Sequence, residues 1–158
     1  MTTAAKGRVT GFFHAGLTVA DMERSLGFYR DLLGLEVVSD TTRDGDELAP
    51  LREVIGVYPE VARVVFLEVP ESGGVKVELF AYEGLEQQPA AARPWDVAAG
   101  HFCLYVDDAE AICRRLEERG HKTRNPLKTI SSGPHAGAKA VYAIDPDGYH
   151  VELYQRAG

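Results

Sequence analysis

Cysteine is nearly absent from this chain: Cys103 and Cys113 are the only two in 158 residues. Two thiols make no disulfide framework, and such usage fits a reducing compartment. Long apolar runs are missing as well, so no stretch reads as a membrane span, and Met1 to Arg8 lacks the hydrophobic segment of a secretory leader. Positive charge is in short supply. A formal charge of −7 and a pI near 5.2 exclude the basic face that nucleic acid or an anionic membrane surface demands. The expectation is a cytoplasmic protein whose partner is a small molecule, not nucleic acid and not a membrane. At 45% hydrophobic, the chain has enough apolar material for one compact domain or two small fused modules.

What the sequence does contain is a half-length echo of itself. The run from His14 to Glu23 (His-Ala-Gly-Leu-Thr-Val-Ala-Asp-Met-Glu) returns as His101 to Glu110 (His-Phe-Cys-Leu-Tyr-Val-Asp-Asp-Ala-Glu), with His, Leu, Val, Asp and Glu recurring at one offset of 87 residues. Each half closes on a second matched stretch, Val77-Glu78-Leu79-Phe80 and Val151-Glu152-Leu153-Tyr154. Two copies of one module related by a pseudo-twofold axis would bring His14, Glu78, His101 and Glu152 to one place. Two imidazoles and two carboxylates form a ligand set for a divalent metal.

Read in order, Phe13, Ala15, Leu17 and Val19 point to one side of a strand while His14, Gly16 and Thr18 point to the other. Asp21 caps a helix that carries Met22, Leu26, Tyr29 and Leu33 inward and stops at Gly34. Leu35 to Ser39 reads as a short strand. Asp40 to Glu60 is irregular, with a short helix around Glu47 to Ile55. It accounts for the 13 extra residues by which the first His-to-Glu spacing (64) exceeds the second (51). It reads equally as a substrate-facing insertion or a plain surface excursion. Arg63 to Val69 and Val75 to Phe80 follow as strands, the latter placing Lys76, Glu78 and Phe80 on one face. Residues 84–100, without periodicity, are the linker between modules 10–83 and 101–156, and Trp95 is its expected anchor. In the second module Asp107 or Asp108 caps a helix ending at Gly120. Lys122 to Ile130, Lys139 to Ile144 and Tyr149 to Tyr154 are the expected strands, the last two joined by an Asp-Pro-Asp-Gly turn. Cys103 reads as a buried small hydrophobe. In all four strands the candidate ligand lies opposite the aliphatic residues.

The doubled βαβββ order, the His that opens each module and the closing Asp-Pro-Asp-Gly-Tyr-His-Val-Glu-Leu resemble the vicinal-oxygen-chelate superfamily of glyoxalase I, bleomycin-resistance proteins and extradiol dioxygenases. The resemblance spans Phe12 to Tyr154. It implies an α+β fold of two tandem βαβββ modules, one domain over 10–156, whose curled sheets form a metal-holding cleft. It also implies a homodimer, because modules in this superfamily commonly pair across subunits. The ligands it implies are His14, Glu78, His101 and Glu152, with Glu152 or Glu78 leaving the metal to act as base.

Three functions stay open. The first is a glyoxalase-like lyase or isomerase that uses Ni, Zn, Co or Mn for proton transfer next to a carbonyl of a small oxygenated metabolite or thioester. The second is a ferrous extradiol-type dioxygenase. Its triad would be His14, His101 and Glu152, with His135 and Tyr142 resembling the accessory His and Tyr that help deprotonate catechols. The third is a metal-free drug-sequestering protein with Phe80, Trp95 or Tyr154 lining its cleft. Arg52, Lys76, His135 and Lys139 are candidates to pair with an anionic substrate, and His150 and Tyr154 flank Glu152 on its face.

Overall fold

The computed structural model describes residues 7–90 and 92–158; the N-terminal expectation for Met1 to Lys6 and linker position Ala91 lie outside them. The first module runs β1 (His14–Thr18), α1 (Met22–Leu26), β2 (Glu36–Asp44), α2 (Ala49–Ile55), β3 (Val61–Glu68) and β4 (Lys76–Glu83). The second runs β5 (His101–Tyr105), α3 (Ala109–Glu118), β6 (Lys122–Thr123), β7 (Lys128–Thr129), β8 (Lys139–Ile144) and β9 (His150–Gln155). The sheet orders are β1-β4-β3-β2 and β5-β9-β8-β6, with β7 also pairing β8. Each module's opening strand therefore lies parallel against its closing strand, and this sets each His strand beside its Glu strand.

Local chemistry repeats with the topology. Asp21 and Asp108 sit in extended backbone and accept from the amides of Arg24 and Ala111, each at 2.9 Å. These are side-chain caps on otherwise unsatisfied helix donors. Gly34 and Gly120, at φ of 79° and 76°, supply the left-handed turns that return the chain to its sheet.

The structure also departs from expectation in several places. The first helix widens into a π-helical segment over Gly27–Leu32, where the Leu33 amide donates to the Phe28 carbonyl at 3.0 Å. The wider turn carries the consecutive rings of Phe28 and Tyr29 into the core together, both fully buried. β2 is nine residues long, because Asp40 to Asp44 pair with Val61 to Val65 instead of looping out. The insertion thus shrinks to a 3-10 turn over Gly45–Leu48 and α2, pinned by buried Leu48. The strand expected over Lys122 to Ile130 is broken into β6 and β7, with Pro126 between them unable to donate to a ladder. Trp95 is exposed rather than inserted, yet its ring lies against Arg93 and against Arg124 of the second module, at 5.4 and 5.0 Å.

The modules share one core. Leu17, Val65, Val77 and Leu79 of the first sheet join Leu104, Val141, Val151 and Leu153 of the second in a single buried cluster that includes the helices. The Asp-Pro-Asp-Gly turn locks the modules together. Tyr29 donates its hydroxyl to the buried Asp145 carboxylate at 2.8 Å, and Asp145 also accepts from the amides of Asp147 and Tyr149. Asp147 receives the Ala20 amide and the Arg24 guanidinium from the first module. Burial raises the Asp145 carboxyl above its ordinary pKa, with these donors only partly opposing the shift, and burial raises the Tyr29 phenol well above its own.

Tyr29→Phe leaves that carboxylate one donor short in a buried place. The variant should lose on the order of 1–3 kcal/mol in urea unfolding at pH 7. The loss should be smaller near pH 4, where a neutral carboxyl tolerates burial better.

Candidate metal centre

Strand pairing decides where each candidate ligand stands. On β1 and β4 the register sets Gly16 opposite Glu78, so His14, two residues earlier on the same face, leans toward Glu78 from the adjacent strand. His14 Nε2 lies 3.0 Å from Glu78 Oε2. The second module repeats this: Cys103 stands opposite Glu152, and His101 Nε2 lies 3.2 Å from Glu152 Oε2. Cis ligands on a first-row ion at bonds of about 2.1 Å stand roughly 3.0–3.4 Å apart. Both pairs therefore have the donor types and spacing of two metal ligands, and the residues fit a divalent ion.

The four residues are gathered two by two. Among the described residues of one chain, no three His, Cys, Asp or Glu side chains converge to hold a metal. The cause is the shared core. Leu17, Val77 and Leu79 on one sheet, and Leu104, Val151 and Leu153 on the other, all turn inward to it. Strand alternation then sends His14 and Glu78 to one outer face and His101 and Glu152 to the other.

The two half-sites differ in what surrounds them. In the first, Phe66 stands opposite Glu78 and meets the His14 ring edge-on at 5.6 Å, and Phe13 meets that ring at 4.9 Å. His14 Nδ1 is buried without a hydrogen-bond partner among the described residues. Gly16 stands beside the carboxylate, and a Cβ there would be in ordinary contact with Glu78 Oε2 at 3.5 Å and with the Phe80 ring at 3.9 Å. Burial raises the Glu78 carboxyl above its ordinary pKa, and the attraction of His14 offsets only part of that. In the second, Tyr142 takes the place of Phe66. Its hydroxyl lies 3.3 Å from His101 Nε2 and 3.5 Å from Glu152 Oε2. Cys103 occupies the position of Gly16. Its exposure corrects the expectation of a buried hydrophobe: a residue on the His101 face points away from the core. Desolvation and the neighbouring Glu152 push its thiol up to about 11.

The remaining candidates scatter. Tyr154 hydrogen-bonds His135 Nδ1 at 2.8 Å, and both line a cavity of about 620 Å³ that includes Cys103 and Glu152. Phe80 stacks on Tyr82 beside the first half-site. Lys76 is engaged by the Gly74 carbonyl and Glu68, and Lys139 by Glu110 at 2.7 Å, so neither ammonium is free of a partner. Arg52 lies on α2 with a buried Nε that has no partner among the described residues. His150 is buried, and desolvation lowers its pKa. Sequence reasoning misses Gly16 and Phe66. The repeat offset of 87, which pairs Gly16 with Cys103, is a signal for the first of these.

A family model described as the Glyoxalase/Bleomycin resistance protein/Dioxygenase superfamily matches residues 11–153. The chain belongs to that superfamily. It is 30% identical to a lactoylglutathione lyase of Escherichia coli O157:H7 and 29% identical to that of Salmonella typhimurium, each over 90% of both chains. It is 28% identical to a 2-epi-5-epi-valiolone epimerase of an Actinomyces species, over 89% of this chain and 76% of that one. In fold it matches a glyoxalase family protein from Bacillus cereus with a TM-score of 0.82, over 99% of this chain and 100% of the other, at 14% identity. A paired-module α+β fold of glyoxalase type is thus established, and these distant relatives include lyases and an epimerase. No helix among the described residues is long and apolar enough to cross a membrane.

The contact between Cys103 and Glu152 is open to a direct chemical check. With a thiol pKa of about 11, alkylation of Cys103 by iodoacetamide should be slow at pH 8 and rise only as pH approaches that value. Glu152→Gln removes a neighbouring negative charge, so it should shift the rise to lower pH, as read by mass spectrometry of the Cys103 peptide. A second check concerns Glu78. Its pKa is raised on folding, so in metal-free protein its ionisation costs stability as pH climbs above the unfolded-state value near 4.5. Metal-free Glu78→Gln should therefore match wild type in denaturant unfolding at pH 4 and exceed it at pH 7.

Proposed function

We propose that the protein is a metal-dependent lyase or isomerase of glyoxalase type, acting as a homodimer. The observation that carries this reading is the doubled His–Glu pair, at 3.0 and 3.2 Å, on the outer faces of a twofold-repeated fold. Outward-facing half-sites complete each other when two chains meet about a twofold axis, His14 and Glu78 of one against His101 and Glu152 of the other. Exposed Phe12 and Phe13 ahead of β1, and Tyr105 at the end of β5, supply apolar surface for such a contact. The lyase and epimerase relatives support the reaction class.

His14, Glu78, His101 and Glu152 would hold a divalent ion, which would supply Lewis acidity toward adjacent substrate oxygens. The chain's own contribution is a base and a shaped enclosure. Either carboxylate can receive the proton. Glu78 sits among Phe66, Phe80 and Gly16 with His14 as its polar neighbour, and burial there favours its protonated form. Glu152 is held between Tyr142 and Cys103, an arrangement suited to a carboxylate that stays in place. The native metal is one of nickel, zinc, cobalt or manganese, and the substrate is a small 2-oxoaldehyde adduct or thioester. Ring-cleaving dioxygenase chemistry draws support from Tyr142, which touches both His101 and Glu152 as an accessory phenol would. Against it, His135, the other accessory group, is turned onto Tyr154.

Elemental analysis of tag-free protein beside Glu78→Ala separates these readings. One equivalent of nickel, zinc, cobalt or manganese, weakened in the variant, is the expected result, with isomerisation of 2-oxoaldehyde hemithioacetals and no oxygen uptake. Iron retained in the variant, with oxygen consumed on catechols, transfers the assignment to the dioxygenase branch. No metal even after reconstitution leaves a binding protein. Site sharing has its own test. Refolding an equimolar mixture of His14→Ala and His101→Ala should recover about a quarter of wild-type metal and activity, because each mixed dimer carries one intact site. Two variants that stay inactive when mixed would place each site within one chain.

A further inference from the structure

The second half-site carries a nucleophile that the first lacks. Cys103 holds the repeat position of Gly16 and stands opposite Glu152 across β5 and β9, two residues along the same face from His101. It is exposed and lines the cavity of about 620 Å³ together with Glu152, His135 and Tyr154. Glu152 turns one oxygen, Oε2, to both His101 and Tyr142, which leaves Oε1 for a proton. A second group on this face is also uncommitted. His150, only 8% exposed, is paired with His101 in the strand register and lies 6.3 Å from the Tyr142 ring, yet it makes no hydrogen bond among the described residues. An imidazole so enclosed has polar atoms that a ligand oxygen would satisfy. Thiol, carboxylate and imidazole thus share one small area of the sheet.

We propose that Cys103 is a catalytic nucleophile, and that the protein converts free 2-oxoaldehydes to 2-hydroxy acids without a thiol co-substrate. The inference rests on the metal-dependent isomerase reading above. In the first step the Cys103 sulfur bonds to the aldehyde carbon and the C=O π pair moves onto oxygen. The S–H proton passes through Glu152 Oε1 to that oxygen, which gives a hemithioacetal on Cys103. A carboxylate then removes the proton from the former aldehyde carbon and returns it to the adjacent keto carbon, while the hydroxyl proton moves to the keto oxygen. The first carbon is now the carbonyl of a thioester and the second carries a hydroxyl. Water adds to the thioester carbonyl, the C–S bond breaks, and the sulfur regains its proton as the 2-hydroxy acid leaves. The net change is addition of one water, with no oxidant or reductant. Burial and Glu152 hold the thiol protonated in the free enzyme, so its proton is transferred only as the C–S bond forms. The substrate class follows from the layout. An aldehyde accepts a thiol reversibly, and a keto oxygen on the next carbon is the second oxygen that the His101 and His150 end can meet. Cys103 and His101 are two residues apart, roughly 6.6 Å along the strand, a span that two or three carbons bridge.

The test supplies metal-loaded protein with phenylglyoxal and no added thiol, beside Cys103→Ser and Cys103→Gly, the latter carrying the repeat partner's residue. Wild type should release mandelate. Quenched in acid, it should hold a hydroxylamine-labile adduct of the aldehyde's mass on the Cys103 peptide, read by mass spectrometry. Both variants should lose the adduct and about a hundredfold in thiol-free turnover. Added 2-mercaptoethanol should restore turnover in Cys103→Gly, because the external thiol then forms the hemithioacetal, and this rescue also reports a folded variant with its metal centre intact. Wild type that converts phenylglyoxal only with external thiol overturns the nucleophile and leaves the metal-dependent isomerase standing. Thiol-free turnover that survives in Cys103→Ser overturns the role of Cys103, as does a Cys103→Gly variant that no external thiol revives. No conversion by wild type under either condition overturns the isomerase reading and this inference with it.

Discussion

Burial of one aliphatic core between two sheets is the constraint on which the rest of this protein depends. A strand has two sides, and when Leu17, Val77 and Leu79 meet Leu104, Val151 and Leu153 in a common interior, the opposite sides are committed to the outside. Those outer sides carry His14, Glu78, His101 and Glu152. The hydrophobic contact that joins the modules thus also separates the half-sites. Buried Asp145 with Tyr29 secures the same contact in polar terms. A hydrogen bond between two buried groups has little geometric tolerance, so it fixes the angle between modules where apolar packing alone would permit sliding.

The repeat also shows how duplicated halves diverge. Equivalent positions hold Gly16 and Cys103, and Phe66 and Tyr142, around otherwise matching His–Glu pairs. One carboxylate is left in apolar company and the other among polar neighbours. The carboxylate pairs of this chain are alike in reach and unlike in environment.

Much of the fold and of the candidate site is legible in the amino-acid sequence. The alternation around His14 and Glu78 gives strand and face together, because period-two patterning reports both. The caps at Asp21 and Asp108 and the stops at Gly34 and Gly120 are local chemistry, decided within a few residues. Where expectation and structure part, non-local pairing has overruled local signal. Asp40 to Asp44 looks like a polar loop until Val61 to Val65 offers it a ladder. Alternation alone puts Cys103 on the His101 face, but only the pairing of β5 with β9 sets it beside Glu152.

The sequence by itself determined the doubled βαβββ order, the four candidate ligands and the face each would occupy, since repeats, periodicity and capping are written residue by residue. Only the tertiary structure decided that the ligands stand as two separate pairs, and that Tyr142 and Cys103 attend one pair and Phe66 and Gly16 the other. Those facts depend on which strands pair and which faces are buried against each other. Contacts between residues far apart in the chain set them, and no local pattern records such contacts.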